Sequence, residues 1–268
     1  RNIDFNAAVG TVEFNGNNTT DASAIYSIGD NSGANTLAFN TGDIKVNVTN
    51  GGILTVGNIG KNRVLTLNNK IEVGNPSAGT ITGSILGLTE SKITLGASSQ
   101  LITENAMTGV SAAGASSAGG YEVTNQGKIT IGKEAAGIYV SDGAEALNDS
   151  GQITIGEKAV GMYAMTSGAA SSKAVNTGLI TLNGESALGL YGKSSGTGTV
   201  EIENTGSIVS AQDSSSNYYI KTLGMVLESA KITAKNSGII DLRGNNSIGV
   251  YNKDGNFTMT AGSIYVDG

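Results

Sequence analysis

Apolar and polar residues alternate in a short segment that recurs six times in the second half of the chain. Each copy starts with a glycine and has an isoleucine two positions later, and successive copies lie 24 to 32 residues apart. The glycines are Gly127, Gly151, Gly178, Gly206, Gly238 and Gly262. The isoleucines are Ile129, Ile153, Ile180, Ile208, Ile240 and Ile264. This period-two pattern predicts a β-strand with one buried face in every repeat.

A second apolar segment in each repeat carries the pattern Gly-x-Tyr. Its tyrosines are Tyr139, Tyr163, Tyr191 and Tyr251, and one degenerate copy reads Gly224-Met225-Val226. The residues on both sides of each glycine are apolar, so strict alternation predicts that they point inward and that the glycine and the tyrosine point outward. Strands stacked about 4.8 Å apart would then place Tyr139, Tyr163 and Tyr191 in an external ladder.

A third short strand precedes each Asn-x-Gly turn. Three strands in about 25 residues predict an all-β chain that forms a right-handed parallel β-helix, a solenoid of about ten coils. The turn residues Asn125, Asp149, Asn176, Asn204 and Asn236 are predicted to stack and to connect neighbouring coils through their side-chain amides.

The repeats are regular over residues 121–268 and weaker over residues 1–120. Segments such as 44–48 and 64–67 still alternate like strands, and glycine and asparagine pairs separate them. We therefore expect the two parts to be continuous and to form one solenoid segment of a longer protein.

The composition suits tightly stacked strands and limits the kinds of partner. Glycine contributes 40 of 268 residues and proline one, while charged residues make up only 14 %. The net charge of −6 argues against nucleic acid as a partner, because phosphate binding needs a basic face. The chain contains no run of 18 apolar residues, so the sequence predicts no membrane-spanning helix.

The residue types leave few routes to catalysis. The chain has no histidine and no cysteine, which removes Ser-His-Asp and Cys-His catalysis and the zinc sites that use these ligands. Paired carboxylates remain an option, because many β-helices act on polysaccharides. The acidic residues are scattered, however: Glu201 and Glu203 share one strand, and Asp241 is alone on its face. We predict no catalytic residue, metal or cofactor, and hence a protein that is not an enzyme.

The candidate partner contacts are tyrosines and variable loops. An insertion at 211–221 contains Asn217, Tyr218 and Tyr219, which we expect to be exposed, and residues 108–120 are predicted to form another variable loop. The Tyr139, Tyr163, Tyr191 and Tyr251 side chains have two interpretations. They stack on one another and stabilise the rod, or they offer an aromatic platform to sugar rings or to a partner surface.

The unit Asn-x-Gly-x-Ile-x-Ile-Gly followed by Ala-x-Gly-Ile-Tyr resembles the passenger repeats of large type V autotransporters, especially the fusobacterial outer-membrane adhesins. The resemblance is close over residues 121–268, whereas the first 120 residues share only the general character of these repeats. It implies a β-helical stalk on the extracellular side of the bacterial outer membrane, secreted through a C-terminal membrane β-barrel. The implied partners are proteins or glycans on host cells or other bacteria. No functional residue can be carried over, because the repeat is scaffold.

Three alternatives to adhesion stay open at the level of the sequence. The segment could be a structural spacer, a polysaccharide-acting β-helix enzyme, or a unit that associates with itself into a filament or surface layer.

Overall fold

A computed structural model describes residues 12–16, 23–30, 35–39 and 42–267. Within these ranges the chain forms 28 strands and no helix, and all pairings between the strands are parallel. The strands form three sheets of ten, nine and nine members, and the chain visits the sheets in a fixed order. The fold is therefore a parallel β-helix with three short strands per coil, as predicted. Connections between parallel strands are right-handed in nearly all proteins, so we expect the coil to be right-handed.

Strand bounds follow the three sheets. The first sheet contains β1 (Val12–Gly16), β4 (Ile44–Val48), β7 (Lys70–Val73), β10 (Gln100–Thr103), β13 (Lys128–Lys133), β16 (Gln152–Glu157), β19 (Leu179–Leu182), β22 (Ser207–Ser210), β25 (Ile239–Leu242) and β28 (Ser263–Val266). The second contains β2 (Ser23–Ile28), β5 (Asn50–Ile59), β8 (Ala78–Thr89), β11 (Ala106–Ala113), β14 (Ala136–Ser141), β17 (Val160–Thr166), β20 (Leu188–Ser194), β23 (Leu223–Leu227) and β26 (Ile248–Asn252). The third contains β3 (Asn35–Phe39), β6 (Arg63–Leu67), β9 (Lys92–Leu95), β12 (Val123–Asn125), β15 (Glu145–Asn148), β18 (Ser172–Asn176), β21 (Val200–Asn204), β24 (Ile232–Asn236) and β27 (Asn256–Met259).

The recurring isoleucines form the core side of the first sheet. Ile129 pairs in register with Ile153, and the same alignment continues through the next three coils. These five side chains are almost completely buried, whereas Ile264 in the last coil is only partly buried. Removing such columns of branched side chains from water provides the main apolar stabilisation of the rod.

Asparagine side chains form a hydrogen-bonded ladder along one corner. The amide nitrogen of each member except the last donates to the amide oxygen of the member in the next coil, over 2.7 to 2.8 Å. The members are Asn125, Asn148, Asn176, Asn204 and Asn236, all fully buried. The prediction of Asp149 as a member was wrong. That turn is one residue longer, and Ser150 in it has a left-handed backbone conformation. Asn148 therefore takes the buried position in the ladder. Asp149 lies outside the ladder and accepts a hydrogen bond from the side chain of Gln126.

The predicted variable loop at 108–120 is only partly a loop. Its first half belongs to β11, which pairs with β8 and β14. Small residues such as Ala112 and Gly109 made this segment look like low-complexity sequence. They are small because they lie in a crowded interior, where Ala112 is almost fully buried.

Candidate binding face

The glycine of each Gly-x-Tyr segment faces the core, contrary to the outward orientation predicted from strict alternation. A Cβ atom added to Gly137 would lie 2.6 Å from Cγ2 of Ile153 and 2.7 Å from the carbonyl oxygen of Gly161. Two consecutive residues therefore point inward, since the following Ile138 is also fully buried. The break in alternation places the residue before the glycine on the outer side of the sheet.

The same close approach recurs in successive coils. A Cβ at these glycines would lie 2.7 to 2.8 Å from Cγ2 of a core isoleucine, in the pairs Gly109 with Ile129, Gly161 with Ile180, Gly189 with Ile208 and Gly224 with Ile240. None of these glycines has a positive φ. Lack of space, not backbone conformation, therefore requires glycine here, and the two repeated residue types occur together because they touch.

The tyrosines of the second sheet form the predicted external ladder. The rings of Tyr139 and Tyr163 are 5.2 Å apart and nearly perpendicular, and those of Tyr163 and Tyr191 are 4.5 Å apart and stacked. Burial raises the pKa of Tyr163 to about 12, with a further contribution from Tyr139. Burial also raises the pKa values of Tyr139 and Tyr191, so the ladder stays uncharged at neutral pH. Its use as a partner contact remains a prediction.

The ladder is interrupted by one coil. Val226 takes the position in register between Tyr191 and Tyr251, and Tyr251 is 43 % exposed. A surface groove of about 450 Å³ lies there, termed the Val226 groove. Its lining residues are Leu188, Tyr191, Leu223, Val226, Glu228, Ile248 and Tyr251.

A polar pair forms one side of the Val226 groove. The hydroxyl of Tyr191 donates a hydrogen bond to Oε2 of Glu228. Nζ of Lys193 lies 3.7 Å from the same oxygen. The carboxylate is thus fixed by a neutral donor and has a cation beside it, while the remaining lining side chains are apolar or aromatic.

A second groove lies beside the unbroken part of the ladder. It has a volume of about 380 Å³ and is lined by Thr108, Ala136, Val160 and the rings of Tyr139 and Tyr163, among others. Sequence reasoning missed both grooves because it placed residues such as Val160 in the core. The signal for the larger groove was nevertheless present, in the one repeat where valine replaces tyrosine.

The insertion at 211–221 lies between β22 and β23 and closes on itself. Oδ1 of Asp213 accepts hydrogen bonds from the backbone nitrogens of Ser215 (2.8 Å) and Asn217 (2.9 Å), and these bonds lower the pKa of Asp213. Asn217 and Tyr218 are exposed, while Tyr219 is partly buried. The groove that Tyr219 lines shares no residue with the two tyrosine-ladder grooves, so the candidate contacts form separate patches.

Two of the three acidic residues considered for catalysis, Glu201 and Asp241, are engaged in ion pairs. Glu201 lies between Lys173 (3.4 Å) and Lys235 (3.1 Å), and Asp241 is paired with Arg243 at 2.7 Å. Across the described ranges, no group of three or more acidic, histidine or cysteine side chains could hold a metal ion. The same ranges contain no helix long and apolar enough to cross a membrane.

Comparisons of the chain with protein-family models, curated proteins and solved structures gave no match. The class is therefore defined by the fold and the surface: a parallel β-solenoid with a tyrosine ladder and apolar grooves on its second sheet.

Proposed function

We propose that this chain is a non-enzymatic adhesive segment of a rod-shaped bacterial surface protein of the autotransporter type. The observation that carries the proposal is the tyrosine ladder, which exposes aromatic and apolar side chains along one face of a stacked rod. Tyrosine is enriched at the centres of binding surfaces because it offers a large contact area at a small entropy cost. A rod held by continuous sheets also loses little freedom when it binds.

The proposed partners are proteins or glycans on host cells or on other bacteria, and the proposed location is the extracellular side of the outer membrane. Support for this location comes from the repeat sequence, which resembles autotransporter passengers. We also keep self-association as a further mode of contact.

Binding of the purified, labelled chain to host cells and partner bacteria tests the proposal. We expect the intact chain to bind, and we expect Tyr139→Ala with Tyr163→Ala, or replacement of 211–221 by a short turn, to reduce binding. Tyr265→Ala is the control, because this tyrosine belongs to the first sheet and stacks on Arg243, 4.4 Å from its ring centre.

Two results would contradict adhesion by this segment. If the intact chain binds no cells, the segment is a spacer, and mutual stacking of the half-buried rings is then the only role of the ladder. If the chain releases reducing sugars or unsaturated products from polysaccharides, it is an enzyme.

A further inference from the structure

We infer that the Val226 groove binds one pyranose ring of a glycan, inserted between Tyr191 and Tyr251. This inference rests on the proposed adhesive function and names its ligand class. It follows from the space left by the missing tyrosine, from the apolar walls of the groove and from its single polar side.

The space matches one ring. Tyr191 and Tyr251 lie on strands separated by one intervening strand, which corresponds to about 9.6 Å, or two strand spacings. Stacked rings prefer centre-to-centre distances of about 4.5 Å or slightly more, and Tyr163 already stacks on the other face of Tyr191 at 4.5 Å. One further ring therefore fits in this groove of about 450 Å³, whose floor is formed by Val226, itself only 5 % exposed.

The lining matches an amphipathic ring. A pyranose has apolar C–H faces, which pack on aromatic walls, and hydroxyl groups around its edge, which need hydrogen-bond partners. The carboxylate of Glu228 provides an acceptor on one side of the groove, and Lys193 lies behind it, 3.7 Å from Oε2. The hydroxyl of Tyr191 already donates to Glu228 and orients this carboxylate.

Other ligand chemistries fit less well. A cation would gain little from Glu228, because Lys193 already compensates its charge. A purely hydrocarbon group would leave the polar side of the groove facing apolar surface, at a cost in desolvation. The groove beside Tyr139 and Tyr163 offers no such insertion site, because the rings there are already in contact.

The variant Val226→Tyr provides the sharpest test, since it restores the repeat residue and completes the ladder. We expect it to fold with unchanged or higher thermal stability and to lose saccharide binding. We expect Tyr251→Ala to weaken saccharide binding about tenfold or more, because one wall is removed. Tyr265→Ala should leave binding unchanged, since Tyr265 is similarly exposed but lies on the first sheet.

The probes are methyl glycosides of glucose, galactose, mannose and N-acetylglucosamine, and trisaccharides of the same sugars. Tyrosine fluorescence reports binding directly, because the chain has no tryptophan, and saturation-transfer NMR identifies which sugar face is in contact.

The inference is overturned if no probe binds the intact chain, or if Val226→Tyr binds saccharides as well as the intact chain does. A cell-binding assay on the same variants separates this failure from failure of the proposed function. If the intact chain binds no saccharide, while both it and Val226→Tyr attach to cells, adhesion stands and the groove is rejected as a sugar site. Saccharide binding without cell attachment would support the groove and contradict adhesion.

Discussion

At the scale of single residues, two repeated positions constrain each other across coils. The glycine of Gly-x-Tyr leaves room for Cγ2 of an isoleucine in the next coil, and that isoleucine fills the core beneath it. A methyl group added at the glycine must displace either a branched core side chain or the backbone of the neighbouring strand. Neither can move far in a stack whose strands are paired on both sides.

We predict that Gly161→Ala lowers the free energy of unfolding by about 1–3 kcal/mol, because the new Cβ would overpack the core. This atom would lie 2.6 Å from the carbonyl oxygen of Gly189 and 2.7 Å from Cγ2 of Ile180. Gly168→Ala is the matched control, since a Cβ there meets nothing within 4 Å. Urea denaturation followed by circular dichroism measures both, and equal stabilities of the two variants would contradict the steric account.

The asparagine ladder gives a second prediction at this scale. Asn176 donates a hydrogen bond to Asn204 and accepts one from Asn148. Asn176→Ala therefore leaves the buried amide groups of both neighbours without this partner. We expect a loss of about 2 kcal/mol or more in the free energy of unfolding. Asn183→Ala, an exposed asparagine in the next turn, should change it little. An undiminished stability of Asn176→Ala would show that the ladder contributes little.

The sequence predicts the positions of some of these residues correctly and of others wrongly. The isoleucine columns followed from alternation, because burial on one face is the property that alternation reports. The orientation of Gly137 did not follow, because strict alternation assumes a regular strand and the strand is irregular at that glycine. The identity of Asn148 was missed for a related reason, since one extra residue in its turn shifts the apparent alignment to Asp149.

At the scale of elements, the second sheet combines structural and surface roles. The tyrosine rings stack in register because parallel strands place equivalent residues side by side. Sequence periodicity predicted this ladder, but the grooves depend on which flanking side chains face outward. That property required the three-dimensional course of the strand. The role of β11 was obscured in the same way, because small residues in a crowded strand resemble a flexible loop.

The ladder should make stability depend on pH in the alkaline range. The folded state holds Tyr163 protonated up to a pKa of about 12, whereas an unfolded tyrosine titrates near 10. The unfolded chain therefore releases its proton first, and the stabilising contribution is present below about pH 10 and lost between about pH 10 and 12.

Urea denaturation across this range should show a falling free energy of unfolding, with a smaller fall for Tyr163→Phe because that variant has no hydroxyl to ionise. Because the chain has nine tyrosines, the difference between the spectrophotometric tyrosinate titrations of the two proteins gives the pKa of Tyr163. An identical alkaline slope in both proteins would contradict the assignment to Tyr163.

At the scale of the whole molecule, each strand pairs only with strands of the adjacent coils, so stability is expected to be mainly a sum of similar nearest-neighbour terms. The three sheets run from β1 to β28 through the strongly and the weakly repetitive parts of the sequence. Regular sequence is therefore not required for a coil to join the stack. What is required is one strand for each sheet in the correct register.

This requirement predicts that a whole coil can be removed. Asn148 and Asn176 occupy equivalent positions 28 residues apart, so deletion of residues 149–176 joins Asn148 to Thr177 and Gly178 and restores an Asn-x-Gly turn. We expect a folded rod that is shorter by about 4.8 Å, with Tyr139 stacked on Tyr191. Small-angle scattering measures the length, and circular dichroism measures the strand content.

The matched control deletes residues 149–162, half of that length, and joins a turn to the middle of a second-sheet strand. This change shifts every following strand to the wrong sheet and exposes its apolar face, so we expect loss of cooperative unfolding and aggregation. The full-coil deletion should also keep saccharide binding, because the Val226 groove lies entirely in later coils. Equal disruption by the two deletions would show that the coils are not interchangeable units, and the rod would then depend on long-range order instead of local stacking.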